Sequence, residues 1–493
     1  MTSTSSTSGT ISSLGVGSGL DANAIVTKLV ALERQPITTL QTEADKIQSK
    51  ISAFGQVQSN LSTLRDAAQK LANPDIWYST TSSSSDSNVV SFTTSSGAAT
   101  GSYSVSVSSL ASSQSVVTNT ALASSTSTLG SGTLTIDLGT LSGSTLTSSK
   151  TTNISIASSD TLEAIRDKIN DAAAGVTASI VKDSKGARLV MTSSASGAAN
   201  AFKVSVNDTG DGNNTDDAGL SALAYDPAGG TPGTTLAKSA ADAAASVNGV
   251  NVTSSTNQFS DVLTGISFTV GKLTTTSSGT PPVVTDNPAT VTVKQDNDTI
   301  SKAISDFAGA YSSLVTLLRT NTKYDDSTKT AGTLQGDSTA VGVLNQLRAT
   351  IGSTSGNSSV FTTLSSAGVT VQSDGTLVVN STKLTNALGK LSEVKKLFSN
   401  ANLSDSSKDG IATKLRTLGD NLLGFEGALT TRTAGLKTSV SNNQKRQDEL
   451  DARATLYEKR LRAQYTALDQ TMANISGQSS YVTQMITNWN KSS

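Results

Sequence analysis

The side chains that most often carry enzymatic chemistry are missing from this chain. Its 493 residues include no cysteine and no histidine. This excludes thiolate nucleophiles, Cys/His zinc sites, Ser-His triads, imidazole general bases and disulfide bonds. Pairs of carboxylates could still act together, as they do in glycosidases, but no acidic pair lies in a recognisable context for that chemistry. We therefore expect a protein that is not an enzyme.

Two clusters could in principle bind a ligand. Gly15, Gly17 and Gly19 precede a predicted helix, as in a phosphate-binding loop, but no strand precedes them and no Gly-Lys-Ser/Thr follows. Residues 207–219 carry acidic and amide side chains that could bind Ca²⁺, namely Asp208, Asp211, Asn213, Asp216 and Asp217. This loop lacks the glycine and the terminal glutamate of a calcium loop, so we favour a solvated surface turn over a calcium site. We predict no cofactor and no metal.

Charge and hydropathy exclude two further classes of partner. The 37 Lys and Arg residues oppose 38 Asp and Glu residues, so no net field attracts nucleic acid or anionic lipid. No stretch approaches the roughly 18 consecutive apolar residues of a membrane span. The first twenty residues contain no Lys or Arg ahead of an apolar segment, which argues against a Sec signal peptide. We expect no nucleic-acid binding and no membrane insertion.

Apolar residues repeat with helical periodicity at both ends of the chain. Asp21 is a suitable N-cap for a helix whose apolar face includes Ile25, Leu29 and Leu32, and Pro36 is expected to stop or bend it. A second helix should follow, with a three-and-four stripe that includes Ile47 and Ile51, and Asn73-Pro74 should close the helical region. Such a stripe predicts a coiled-coil or bundle contact.

The carboxyl-terminal sixty residues carry the strongest periodicity. Six positions lie seven apart without a break, namely Ala454, Leu461, Leu468, Ile475, Val482 and Trp489. A helix over residues 443–490 would be about 70 Å long, and we expect the amino-terminal stripe to pair with it. A simple intramolecular hairpin is the alternative, but the width of the apolar surface favours completion by other chains. The predicted contact seam for oligomerisation and partner binding comprises Ile25, Leu29, Leu32, Ile47, Ile51, Leu461, Tyr465, Leu468, Met472, Ile475, Val482 and Trp489.

Between the helical ends, the period changes to two. Short strands are predicted through residues 88–293, with one helix at Asp160-Thr161-Leu162-Glu163 and Asn248-Gly249 as a hairpin turn. The fold class is α+β multidomain, with paired terminal helices forming a coiled-coil or bundle leg and two β-rich head domains inserted between them. The predicted parts are a disordered arm (1–19), a coiled-coil leg (20–40 and 443–493), a helical bundle with a small hairpin (41–76 and 299–442), an inner β-rich head (77–130 and 236–298) and an outer α+β head (131–235).

Particular segments resemble one family. Residues Gly17-Ser18-Gly19-Leu20-Asp21, the stretches 31–36 and 51–55, and, at the other end, the stretches 462–469 and 479–484 are similar to the terminal signatures of the flagellar filament cap family, hook-associated protein 2. Residues 247–266 resemble the "IN" motif that flagellins and hook-associated proteins share. The resemblance covers essentially the whole chain, although residues 120–240 match loosely.

This resemblance implies a function and a location. Family members form a ring, of about four to six subunits, at the distal filament tip, where exported flagellin folds and inserts beneath it. The implied partners are the chain itself, flagellin, the hook-filament junction protein, a cytosolic export chaperone on the carboxyl-terminal helix, and host mucin or glycans. The implied route is the flagellar type III apparatus, with an extracellular destination. Another axial protein, such as flagellin or a junction protein, and a glycan-binding adhesin are the alternatives.

Overall fold

The chain folds into two compact units, a helical one from residues 1–74 and 301–493 and a β-rich one from residues 75–300. The structure is a computed structural model that describes residues 21–229, 233–278, 283–355, 358–402 and 404–491. The glycine cluster at 15–19 and the predicted arm at 1–19 lie outside the described residues. Helical ends around a β-rich middle confirm the predicted fold class; the finer division into domains stays a prediction.

Eight helices are described. They are α1 (Ala22–Ala72), α2 (Leu162–Asp171), α3 (Asn297–Thr322), α4 (Ser338–Gly352), α5 (Ser381–Leu388), α6 (Leu391–Ser399), α7 (Ile411–Leu423) and α8 (Ala428–Lys491). The Asp21 carboxylate caps α1 by accepting a hydrogen bond from Ala24 N at 2.9 Å, as predicted. For α2, the N-cap is Thr161 and not Asp160, because the Asp160 carboxylate instead accepts from Ala157 N and Lys168 Nζ.

Pro36 neither ends nor divides the first helix. The structure has one helix of 51 residues with Pro36 inside it, so the predicted second helix is wrong as a separate element. Proline removes one backbone donor and leaves the carbonyl four residues earlier without its helical partner. Pro36 and Leu32 are both exposed, so water can satisfy that carbonyl at little cost.

The helical unit has its core where α1 packs against α7. The buried positions of α1 recur three or four apart, as one helical face requires: Phe54, Val57, Leu61, Leu64, Ala68 and Leu71. Gly419 of α7 lies so close to α1 that a Cβ there would be 2.9 Å from Arg65 Cβ. Phe307 of α3 and Phe398 of α6 add an edge-to-face pair at 6.2 Å. This packing fixes the carboxyl-terminal half of α1.

Two short hairpins complete the helical unit. They are β18 (Tyr324–Asp325) with β19 (Thr330–Ala331), and β20 (Val369–Val371) with β21 (Leu377–Val379). The sequence predicts one small hairpin within residues 299–442, and two are found there.

The β-rich unit contains seventeen described strands. They are β1 (Thr80–Ser84), β2 (Val90–Thr94), β3 (Gly101–Ser109), β4 (Ser115–Thr118), β5 (Gly132–Ser142), β6 (Thr145–Ile156), β7 (Val176–Asp183), β8 (Gly186–Ser193), β9 (Ala201–Asp208), β10 (Thr234–Lys238), β11 (Ala243–Val247), β12 (Val250–Ser254), β13 (Gln258–Leu263), β14 (Ile266–Val270), β15 (Thr275–Ser278), β16 (Val283–Asp286) and β17 (Ala289–Gln295). The hairpin at Asn248-Gly249 joins β11 to β12, as predicted.

These strands surround two apolar clusters. The first lies among the sheets β1-β17-β3-β11-β12 and β13-β14-β2, where the rings of Phe259 and Phe268 stack at 4.6 Å. The second lies among the sheets β10-β4-β8-β7 and β6-β5-β9 together with α2. Alternating burial along β8 shows one face of that strand turned to this second cluster.

Candidate functional site

The start of α1 and the middle of α8 pack against each other. Arg462 Nη1 donates to Asn23 Oδ1 at 3.1 Å, and Arg453 donates through Nε and Nη2 to Glu33 Oε1 at 2.9 and 2.7 Å. Residue numbers rise along α1 as they fall along α8, so the two helices run antiparallel. Charged side chains of α8, Arg453 and Arg462 among them, therefore pair with α1.

Apolar contact accompanies these polar pairs. Val26, Val30 and Leu461 form a buried cluster, and Leu29, Tyr457 and Tyr465 pack around it half-buried. Of the predicted seam, the structure thus brings Leu29, Leu461 and Tyr465 together. Ile25, Ile47 and Ile51 are half-buried at other points of α1.

Leu32 does not belong to the buried seam, because 64% of its surface is exposed. The sequence analysis missed Val26 and Val30, although a signal for them exists. The stripe at Ile37, Leu40, Ala44 and Ile47 extends backwards, in alternating steps of three and four, through position 33 to Val30 and Val26. Because Pro36 was expected to end the helix, the apolar face of residues 22–35 was predicted separately from the stripe that follows, and the neighbouring face was chosen.

A buried polar pair on α8 was also missed. Gln447 Nε2 donates to Asn443 Oδ1 at 2.6 Å, and both residues are buried. Polar side chains at buried positions between helices fix their register at some cost in stability. The pair lies on the part of α8 that precedes the Arg453 contact.

The rest of the predicted seam is exposed. We call residues 468–491 of α8 the tip; at a rise of 1.5 Å per residue it is about 36 Å long. From Gln470 onward, every described residue of the tip is exposed. The exposed fractions of the predicted seam residues are 44% for Leu468, 39% for Met472, 54% for Ile475, 52% for Val482 and 75% for Trp489. The expectation that the amino-terminal stripe covers these positions is wrong within the described residues, because α1 begins at Ala22, opposite Arg462.

The opposite end of α8 is anchored by an ion pair whose carboxylate is buried and whose arginine is half-buried. Arg432 donates through Nε and Nη2 to Asp337 Oδ2 at 3.0 and 2.7 Å. Asp337 is buried and also caps α4, accepting from Thr339 N at 3.0 Å. Leu429 and Leu436 are buried on the same part of α8. The helix also begins at Ala428, fifteen residues before the predicted start.

The acidic loop of the β-rich unit is organised by its own backbone. Asp208 is buried and accepts hydrogen bonds from Gly210 N at 2.8 Å and Leu220 N at 2.6 Å. The Ser221 hydroxyl donates to Asp216 and lowers the pKa of that carboxyl. In the described part of the chain, no group of three acidic side chains is placed to hold a metal ion. Nor is any helix among the described residues both long enough and apolar enough to cross a membrane.

Comparison with known families gives three matches. The family models for the amino-terminal and the carboxyl-terminal regions of flagellar hook-associated protein 2 match residues 18–114 and 240–477, respectively. The flagellin hook IN motif matches residues 133–195. The prediction of that motif at 247–266 is wrong, because the match covers β5 to β8, a strand pair followed by a helix and a hairpin, and not the hairpin of β11 and β12.

Individual relatives agree over nearly the whole chain. Flagellar hook-associated protein 2 of Escherichia coli K12 is 33% identical over 495 residues, covering 97% of this chain and 98% of the relative. The Salmonella typhimurium protein of that name is 30% identical, covering 98% of this chain and 99% of the relative.

A crystal structure agrees with these relatives. The D1-D2-D3 domains of the flagellar cap protein FliD from Escherichia coli match with a TM-score of 0.60 and 31% identity, over 78% of this chain and 99% of that one. Sequence and fold thus point to the same relatives, and the resemblance predicted from the terminal motifs is confirmed. This chain belongs to the flagellar hook-associated protein 2 family.

Proposed function

We propose that this protein caps the distal end of the bacterial flagellar filament as a homo-oligomeric ring that retains exported flagellin and promotes its folding and insertion. Membership in the family gives the role, and the exposed tip of α8 is the observation that carries the mechanism. A monomer that leaves Leu468, Ile475 and Val482 in water has an apolar stripe that association can bury.

The stripe suits contacts that form and release. Its members repeat at heptad spacing along one side of a single helix, which is the geometry for packing against another helix. The apolar surface of one helix buries less area than an obligate interface, so a neighbour can exchange while the filament grows. The whole predicted seam, from Ile25 to Trp489, then divides into an intramolecular part near Leu461 and an intermolecular part on the tip.

The partners and the location follow from the same role. They are further copies of the chain, flagellin and the hook-filament junction protein, with an export chaperone covering the carboxyl-terminal helix before secretion through the flagellar type III apparatus. The place of action is the filament tip outside the cell. Host mucin or glycans are partners of the β-rich unit, whose surface is rich in small hydroxyl side chains.

Complementation tests the proposal. A strain lacking this protein is supplied with the full chain or with a chain ending at Thr466, and immunogold electron microscopy locates the protein on filaments. The full chain should label filament tips and restore swimming. The truncated chain should be secreted without labelling tips, while flagellin accumulates in the medium. Tip labelling by the truncated chain would contradict the mechanism, and long filaments built from the protein itself would favour a flagellin role.

A glycan array probed with residues 75–300 tests the adhesive part separately. Saturable binding that is competed by the free glycan would support it. An array without signal, using a fragment that shows the circular dichroism of a folded β protein, would remove host glycans from the partners.

A further inference from the structure

A cavity in the β-rich unit is lined by residues that the proposed α8 contacts do not use. It measures about 270 Å³ and borders the second apolar cluster. Its floor is apolar and buried, with Leu129, Leu162 and Leu189 among the residues that form it. An engineered cavity of about 150 Å³ lined by similar side chains binds benzene in another protein. This cavity is therefore large enough for a phenyl ring that carries a short chain.

The walls of the cavity are fixed before any ligand arrives. On one side, Leu122 and Ala187 exchange backbone hydrogen bonds of 2.9 and 2.7 Å, and Leu189 N donates to the buried Thr118 hydroxyl at 3.1 Å. These bonds tie the segment before β5 to β8. Because the backbone on this side is already ordered, binding need not order it.

A second part of the wall is the short 3-10 helix Gly219–Leu223, which the buried Asp208 carboxylate holds through Leu220 N. Gly219 has φ +54°, and a Cβ there would lie 2.5 Å from Asp208 Oδ2. Only glycine fits this close approach without strain. The acidic loop thus shapes the cavity, which gives Asp208 a structural task in place of metal binding.

The rim of the cavity is polar and negatively charged. Thr120, Thr128 and Asp217 line it and are exposed, and none of the described lining residues is Lys or Arg. Arg188, next to the wall, instead donates to Asp183 Oδ2 at 2.8 Å and to the Thr118 carbonyl at 2.8 Å. A carboxylate at the mouth favours a cationic group there.

We infer that this cavity binds a small hydrophobic amine, with the apolar group on the leucine floor and the ammonium group beside Asp217. The floor supplies affinity by removing apolar surface from water. The rim supplies selectivity by charge, and hydroxyl groups of Thr120 and Thr128 can accept hydrogen bonds from the ammonium. The ligand class is therefore a primary amine on an aryl or branched alkyl group.

Three probes of matched shape test this inference with the full chain. 2-Phenylethylamine is cationic at neutral pH, 2-phenylethanol is neutral and 3-phenylpropionate is anionic. Dissociation constants are measured by ligand-observed saturation-transfer NMR. Because an exposed charge pair is weak, we expect the amine to bind about three-fold more tightly than the alcohol, and the acid to bind least. Added salt should narrow the difference. If none of the three probes binds saturably, the inference is wrong.

Substitutions at the rim locate the binding. Ala218 is exposed, lines the cavity and has φ −112°, so Ala218→Phe should block the mouth without strain and weaken all three probes by about tenfold or more. Asp217→Asn should remove the preference for the amine and leave the alcohol unchanged. Asp211→Asn is the matched control, an exposed carboxylate in the same loop that does not line the cavity.

Circular dichroism checks that each variant is folded. Unchanged binding by Ala218→Phe would place the probes elsewhere and overturn the site. An equal loss of amine preference in Asp211→Asn and Asp217→Asn would overturn the role of the rim carboxylate.

Discussion

The middle of α8 and its tip carry one heptad repeat, but only the middle is buried. Around Leu461 the repeat is buried against Val26 and Val30, with Arg453 paired to Glu33 across the helices. Along the tip the same spacing continues through Ile475 and Val482, and those side chains are exposed. A heptad therefore reveals that a helix has an apolar face, whereas the length of the partner helix decides which part of that face is buried.

This difference separates folding from assembly on one helix. Side chains near Leu461 contribute to the stability of a single chain, because their partners belong to that chain. Side chains on the tip contribute only when a partner arrives, because in the monomer they face water. Substitutions near Leu461 should accordingly change the stability of the monomer, whereas substitutions on the tip should change association.

The largest effect is expected from two charges on the apolar side of the tip. Leu468→Asp together with Ile475→Asp should abolish swimming and the localisation of the protein to filament ends, because association would bury two unpaired carboxylates. The melting temperature of the monomer should stay within about 2 °C, since both side chains are exposed in it. Immunogold electron microscopy, swimming assays and scanning calorimetry measure the three quantities.

The matched control adds the same charges to the other side of the helix. Gln470 and Ser480 are exposed and lie roughly 200° and 140° around the helix from Leu468 and Ile475. Gln470→Asp with Ser480→Asp should leave swimming intact. If the control abolishes swimming as fully as the first pair, net charge and not the stripe is responsible.

A smaller effect, confined to folding, is expected at the base of α8. Asp337→Ala removes the cap of α4 and leaves Arg432 without its carboxylate, which should cost about 2–4 kcal/mol in local stability. Asp337→Asn should cost less, because an amide oxygen still caps the helix. Hydrogen exchange of α4 and of the first turns of α8 measures both variants. Protection in both variants equal to that of the unaltered protein would show that the charge and the cap contribute nothing there.

How far the sequence predicts this molecule can be judged along these helices. The N-cap at Asp21, the end of the first helix at Asn73-Pro74 and the hairpin of β20 and β21 were predicted, because capping, proline and alternation are local signals. The continuity through Pro36 was not, because an exposed proline is tolerated where water satisfies the free carbonyl. The exposure of Val482 was not predicted either, because burial along α8 depends on the length of the helix packed against it and not on the local sequence pattern.

A still smaller effect is expected within the paired part of α8. Leu461→Ala should destabilise the contact with Val26 and Val30 by about 2 kcal/mol, the lower end for buried leucine, because only one small cluster surrounds it. Leu468→Ala, one heptad later, should change the protection of α1 by less than about 0.5 kcal/mol. Hydrogen exchange of residues 22–34 compares the two. Similar losses of protection in the two variants would mean that the tip also stabilises the monomer, and the distinction between the middle of α8 and the tip would be wrong.

The smallest effect is expected from the ion pair that joins the paired helices. Arg453 and Glu33 are bonded at 2.7 Å, but most of the arginine side chain is in water. Exposed pairs of this kind contribute about 0.2–1 kcal/mol, so Arg453→Ala should loosen residues 22–34 only slightly at low salt. A double-mutant cycle with Glu33→Ala isolates the coupling. Lys459→Ala removes an exposed charge of the same sign from α8 and is the control. The coupling should shrink as ionic strength rises, because mobile ions screen exposed charges. Coupling that persists in molar salt would instead indicate that the arginine acts through the packing of its alkyl chain.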